Sequence, residues 1–230
     1  MGRIYKVGTR TSPLALKQVE EVLKELEKVY PHVEVRVVGI DTYGDRDKVT
    51  PISTIEGTDF FTREIDEALL NGEIDFAVHS AKDMPDKTRE GLLIAAVTSS
   101  ISPYDVLVSK DSLKIDELPY GAKIGTSSAR RKTQLKRYRG DFRIVDIRGN
   151  IGERLEKLYK SDLDAVLMAA AGLIRLGLSE KITQELSFDI MRPHVLQGAL
   201  AIAAKTEDVE LINMLRALDK KTLIEEGIEI

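Results

Sequence analysis

Asp75-Phe76-Ala77-Val78-His79-Ser80-Ala81-Lys82-Asp83-Met84-Pro85 is the stretch on which the fold turns. Phe76-Ala77-Val78 reads as a buried strand, and Pro85 stops regular structure two residues after Asp83. In open α/β sheets ligands bind just beyond the carboxyl ends of strands. A Lys82–Asp83 pair at that position is a candidate for chemistry; a solvated turn with an incidental ion pair is the alternative.

The chain around it repeats itself faintly. Lys6-Val-Gly8-Thr9-Arg10-Thr-Ser12 resembles Lys123-Ile-Gly125-Thr126-Ser127-Ser128-Ala129, each a short strand, a Gly-Thr turn, hydroxyl residues and then a helix. The first helix has Ser12 as its N-cap and Pro13 at its first position, with Val19, Val22, Leu23 and Leu26 at helical spacing. Asp75-Phe-Ala-Val-His resembles Asp164-Ala-Val-Leu-Met, but only the first copy ends in Lys-Asp; the second runs into Ala169-Ala-Ala-Gly172. The pattern predicts an α/β fold of two similar domains, 1–97 with 195–230 and 98–194. Gln197 to Ala204 reads as a strand and 207–219 as a helix that return to the first domain. Two linker crossings would form a hinge over a cleft.

Composition narrows the function. The 230 residues are enough for two domains of ordinary size. A net charge of −4 leaves no bulk positive field to recruit nucleic acid. With no cysteine, disulfides, thiolate metal sites and cysteine nucleophiles are excluded. No apolar run approaches membrane-spanning length, and Met1-Gly-Arg-Ile-Tyr-Lys6 is not a signal region, so the expectation is a cytoplasmic protein. Abundant Glu, Lys and Arg with no Trp lean towards a thermophile.

Basic residues gather at helix starts. Both Gly-Thr turns offer free N–H groups at a positive dipole end. Arg10 lies in the first turn, and Arg130 and Arg131 open the second helix. Arg148-Gly149-Asn150 follows the strand Arg143 to Ile147 and precedes a helix carrying Arg154. A cation at a helix N-terminus costs roughly a few tenths of a kcal/mol, which an anion would relieve. Any one of these arginines reads as a surface ion pair; the set reads as a receptor for several acidic groups, since the guanidinium fork suits carboxylate or phosphate. No phosphate-loop pattern is present. The polar stretch Asp41 to Val49 shows no strand or helix pattern and reads as a loop. His32, His79 and His194 are far apart, so a metal site is not expected.

Taken together these segments resemble the porphobilinogen deaminase, or hydroxymethylbilane synthase, family. The matching pieces are Thr9-Arg10-Thr-Ser12-Pro-Leu-Ala-Leu-Lys-Gln18, His79-Ser80-Ala-Lys82-Asp83-Met-Pro85, Gly125-Thr126-Ser127-Ser128-Ala-Arg130-Arg131, Arg148-Gly149-Asn150, Ala171-Gly-Leu-Ile-Arg-Leu-Gly177 and Gln197-Gly-Ala199. The resemblance covers about residues 3 to 219. It implies two periplasmic-binding-protein-like domains with mixed sheets around a cleft, and a small third domain. It also implies stepwise condensation of four porphobilinogen units into a linear tetrapyrrole, with ammonia lost each time. By the resemblance Asp83 is the catalytic aspartate, with Lys82 beside it. Arg10, Arg130, Arg131, Arg148 and Arg154 hold acetate and propionate groups. Ser12, Ser80, Thr126, Ser127, Ser128, Gly149, Ala171 and Gln197 complete the expected contacts. Asp83 and the second-domain arginines are expected to face the cleft from opposite sides.

The chain departs from the family in several places. The family primes itself with a dipyrromethane cofactor on a cysteine of its third domain, and here there is no cysteine. The family's lysine-bearing loop reads Thr54-Ile-Glu-Gly57-Thr58-Asp-Phe-Phe61. Ser99-Ser-Ile-Ser102 replaces an acidic-basic run, and Leu196 replaces a glycine. The expectation is a monomeric transferase acting on porphobilinogen or linear pyrroles, its dipyrromethane held noncovalently or a separate third-domain chain supplied in trans. The alternative is a binder of anionic pyrroles without turnover or with an altered reaction. No nucleic-acid or membrane partner is expected.

Overall fold

The computed structural model describes residues 3–47, 50 and 58–220. Thr54 to Gly57 of the departing loop, Lys48 and Val49, and the tail 221–230 lie outside the described residues. The chain divides into two compact units. The first is Met1–Asp47, Ile55–Ile101 and Gly198–Ile230; the second is Lys48–Thr54 and Ser102–Gln197.

The first unit is built on β1 (Ile4–Arg10), β2 (Glu34–Ile40), β3 (Phe76–Ser80), β4 (Leu92–Val97) and, from far along the chain, β10 (Leu200–Lys205). Their order is β2-β1-β3-β10-β4. β1 runs parallel to both its neighbours, and β10 is antiparallel to β3 and β4. Strands buried on both faces read as continuous apolar runs, which is why Phe76 to His79 are all buried. The helices are α1 (Pro13–Val29), α2 (Tyr43–Arg46), α3 (Arg63–Leu70) and α7 (Val209–Leu215). On one face of the sheet Val19, Val22 and Leu26 of α1 and Leu211 and Leu215 of α7 pack with Val7, Phe76 and Val78. On the other, Ile65 and Leu69 of α3 pack with Ile74, Ala77 and Ala203. Ser12 accepts a hydrogen bond from the Ala15 amide at 3.3 Å, with Pro13 in the first turn; such a cap contributes about 1 kcal/mol.

The second unit repeats the plan with β5 (Asp105–Ser109), β6 (Lys123–Gly125), β7 (Arg143–Val145), β8 (Ala165–Ala169) and β9 (Gln184–Glu185), ordered β7-β6-β8-β5-β9. β6 is parallel to β7 and β8, and β5 is antiparallel to β8 and β9. In each sheet the strand antiparallel to the rest follows a crossing between the units, β10 after the return at Gly198 and β5 after the entry at Ser102, so the faint sequence repeat is a repeat of topology. Alternate residues of β8 serve opposite faces. Ala165 and Leu167 pack with Leu135 of α4 (Ala129–Tyr138), whereas Val166 and Met168 pack with Leu155 and Leu158 of α5 (Ile151–Lys160) and Leu173 of α6 (Ala170–Arg175).

Two local readings are corrected. Asp41 to Val49 is not without helix: α2 forms there because the Asp45 side chain folds back to Thr42 as a capping box, and Gly44 lies so close to Phe61 that a Cβ would stand 2.3 Å from its ring. The last strand starts at Leu200 rather than Gln197, since Gly198 has φ +87° and turns the chain into it.

Candidate active site

In the first unit the site residues follow from strand ends. β3 terminates at Ser80, and Ala81–Asp83 form one 3-10 turn before Met84 and Pro85. This turn leaves Asp83 exposed, with Lys82 half-buried and Ala81 buried beneath. Asp83 accepts no hydrogen bond and makes no ion pair among the described residues, so its carboxylate is available to a ligand. Ser80 Oγ accepts from Nε2 of Gln18, a buried residue of α1, at 2.8 Å. His79 is 6% exposed and its Nε2 has no partner among the described residues. Burial pushes its pKa down to about 4, with Arg10 adding to the shift and Asp83 opposing it; the imidazole is neutral at pH 7.

Arg10 closes the end of β1. Its guanidinium is held by Asp45 through Nε and Nη2 and lies 4.6 Å from the Phe61 ring centroid. Burial alone would raise the Asp45 carboxyl, but the Arg10 bonds and the Thr42 contacts hold it below the usual carboxylate range. An open groove elsewhere in this unit, about 800 Å³, is lined by Arg63, Asp66, Glu67, Lys87 and Arg89 among others. Two of its cations are already spent, Arg63 on Asp59 and Arg89 on Glu67.

In the second unit the hydroxyl turn is largely structural. Ser127 Oγ donates to the Ile147 carbonyl and accepts from the Ile147 amide, both at 2.9 Å, tying the end of β6 to the strand-end loop after β7. Thr126 is buried, and its amide donates to the Val145 carbonyl. Ser128 is the half-exposed N-cap residue of α4. Beyond β7, Gly149 has φ +111°, which suits glycine, and Asn150 and Glu153 form a capping box at α5. Arg148 donates to the Thr50 carbonyl, and Arg154 Nε donates to the Gly149 carbonyl at 2.7 Å. Ala171 is buried in the first turn of α6.

Arg130 and Arg131 meet on Asp105, a residue the sequence reading passed over. Arg131 donates Nε and Nη2 to Oδ1 at 2.9 and 2.6 Å, and Arg130 donates Nη2 to Oδ2 at 2.7 Å. Gln197 Nε2 reaches the same Oδ1 at 3.2 Å and the Pro103 carbonyl at 2.6 Å. The available signal was one carboxylate heading the apolar run Val106-Leu-Val108, in a chain where two neighbouring arginines need a counter-charge.

Two α/β units with mixed five-stranded sheets, each assembled from separate stretches of the chain, define the class of periplasmic-binding-protein-like folds. The methionine-binding protein MetQ shares the fold with a TM-score of 0.58 at 14% identity, covering 97% of this chain and 94% of that one. The VFT2 domain of Bordetella pertussis BvgS follows at 0.51 and 16%, covering 96% and 91%. Sequence takes the assignment further. The family model for porphobilinogen deaminase, dipyrromethane cofactor-binding domain, matches residues 5–213. The porphobilinogen deaminase of Pelotomaculum thermopropionicum is 45% identical over 221 residues, 96% of this chain and 71% of that protein. That of Natranaerobius thermophilus is 46% identical over 215 residues, covering 93% and 69%. The chain belongs to the porphobilinogen deaminase family, and it spans about 70% of the length of these curated relatives.

Proposed function

We propose that this chain catalyses the deaminative condensation of porphobilinogen, joining units head to tail into the linear tetrapyrrole hydroxymethylbilane. The observation that carries this reading is the exposed Asp83 carboxylate, unpaired among the described residues, at the end of β3 in a member of this family. In each step the aminomethyl C–N bond of porphobilinogen breaks, the electron pair leaves on nitrogen, and the amine departs protonated. The electron-poor methylene pyrrole left behind is attacked by a pyrrole α-carbon, which then loses its proton. Asp83 is suited to hydrogen-bond the pyrrole N–H, assist proton delivery to the amine and balance the cation. Lys82, next in the chain, and Arg10, Ser12 and Ser80 supply positive charge and hydroxyls in the same unit. Arg130, Arg148 and Arg154, with Ser128, Gly149 and Gln197, supply charge-assisted donors for acetate and propionate groups. In this reading Thr126, Ser127, Arg131 and Ala171 shape that receptor from beneath.

The donor set fits the carboxylates of a dipyrromethane, but its thioether anchor does not fit: the 230 residues hold no cysteine. When bound, that group supplies the pyrrole carbon on which the first unit condenses. Within these residues it is held noncovalently, through its carboxylates. The reading also places the enzyme in the cytoplasm as a monomer. Among the described residues no helix is long and apolar enough to cross a membrane, and no cluster is suited to hold a metal.

The test is consumption of porphobilinogen, followed with Ehrlich's reagent, together with the mass of the product. Turnover that needs added dipyrromethane, and is lost on dialysis, is the expected result. Turnover only with a separate cysteine-bearing chain would replace noncovalent priming by assembly in trans. Uptake without consumption under either condition would leave a binder of anionic pyrroles.

A further inference from the structure

Asp105 has no exposed surface, and an unpaired carboxylate there would be strongly destabilising. Two guanidiniums and the Gln197 amide meet it instead. Burial would lift its pKa, but Arg131 and Arg130 overcome that and hold the carboxyl below its usual range. The two arginines are not equivalent. The Arg131 side chain is 7% exposed and directs its remaining terminal nitrogen, Nη1, at the Leu167 carbonyl of β8 at 3.2 Å. The Arg130 side chain is 27% exposed and engages Asp105 through Nη2 alone, with Nη1 on the Arg192 carbonyl. Its Nε has no partner among the described residues. One arginine is therefore anchored on the interior strands β5 and β8, and the other is braced on the same carboxylate with a donor to spare.

We propose that Asp105 is a positioning residue of the second unit's anion receptor, fixing Arg130 as the arginine presented to a ligand carboxylate, while Arg131 acts on the ligand only through Asp105. The assignment rests on the reading that this unit binds pyrrole carboxylates. A guanidinium fork discriminates by geometry, so its brace sets affinity without touching the ligand.

The experiment is a double-mutant cycle read by calorimetric titration with porphobilinogen, each variant first checked for folding by circular dichroism. Arg130→Gln should weaken binding by about tenfold or more, as expected for a lost charge-assisted contact. Asp105→Asn and Arg131→Met should each weaken binding by about fivefold in the native background. Neither should change it by more than about twofold when Arg130 is already Gln, because coupled residues are non-additive. Asp105→Asn strands two guanidiniums without a counter-charge and is the variant most exposed to misfolding. Arg131→Met leaves Asp105 paired with Arg130 and Gln197 and carries the same test. Equal losses in both backgrounds would make these residues independent ligand contacts or remote structural ones, and would overturn the assignment. Native protein that takes up no porphobilinogen is a separate failure, visible before any variant is compared; it removes the functional reading and this assignment with it.

Discussion

Arg10 and Asp45 form a closed pair in the first unit: Nε lies 3.1 Å from both carboxylate oxygens, and Nη2 completes the contact. Asp45 does two jobs, since Thr42 donates its hydroxyl to the same carboxylate at 2.8 Å and its amide at 3.3 Å. Asp45→Ala removes the ion pair and the capping box together. Stability should fall by about 1–2 kcal/mol, the usual range for a lost cap. The Asp45 carboxyl is held low in the folded state, so its contribution is present above the unfolded carboxylate pKa and is lost as pH falls through the folded one. Urea unfolding at pH 7 and at pH 3 should show the two proteins converging at the lower pH; a constant gap would assign the loss to packing alone.

Arg131 and Arg148 were grouped by the sequence, and the structure separates their consequences. Arg131→Leu leaves the buried Asp105 with Arg130 and Gln197 as partners, and the lost charge-assisted bonds should cost about 1.5–3 kcal/mol of stability. Arg148 is half-buried and donates to a backbone carbonyl. Arg148→Leu should instead appear mainly in affinity for pyrrole carboxylates, by about 1.5–3 kcal/mol. Thermal unfolding paired with calorimetry reads both. Equal melting temperatures for the two variants would refute the distinction.

How much of this was legible follows from where each residue's information lies. Ser12 with Pro13 and the apolar runs Phe76 to Val78 and Ala165 to Met168 are local patterns, and local patterns specify strands and helix starts. α2 was not legible because four residues carry no periodicity. It exists through the Thr42–Asp45 box and the fit of Gly44 against Phe61, a contact across 17 positions. Asp105 was missed for the same reason. Its partners stand at 130, 131 and 197, and only the folded sheet brings them to one carboxylate. The motif that places Arg131 among the carboxylate-binding arginines records residue type, and its bonds to Asp105 and the Leu167 carbonyl are set by the fold.

His79 and Asp66 make opposite pH dependences in the first unit. Burial pushes His79 down to about 4, so between there and the ordinary histidine value near 6.5 the unfolded chain binds the extra proton and stability rises with pH. Burial pushes Asp66 up to about 6, against the partial relief of the Thr62 hydroxyl and Arg89 and with Asp59 and Glu67 adding to the rise. Between about 4 and 6 the folded chain holds that proton, so stability falls with pH. Each contribution is of order 3 kcal/mol, and in the native protein the two largely offset. Asp66→Asn should leave a stability curve that climbs from pH 4 to 6.5, and His79→Leu one that descends from pH 4 to 6. Urea midpoints across that window decide it; parallel curves for the two variants would refute the opposition.

Asp83→Asn tests the chemistry at the end of β3. Asp83 is exposed and carries no hydrogen bond or ion pair among the described residues, so its replacement by an isosteric amide should leave the melting temperature within about 1–2 °C, as for a surface substitution away from any network. Ligand uptake should also survive, because the donors proposed to hold the ligand carboxylates lie on other residues. Turnover should not. An amide does not accept the proton bound for the leaving amine, and it brings no charge to balance the cation formed as the C–N bond breaks. Loss of a general acid–base group costs about 10²–10⁴ in rate, and the lost electrostatic stabilisation adds to it. The measurement is porphobilinogen consumption by native and Asp83→Asn protein under identical priming, with calorimetry confirming equal uptake. A variant that binds as well and turns over within threefold of native would move the catalytic carboxylate elsewhere in the chain.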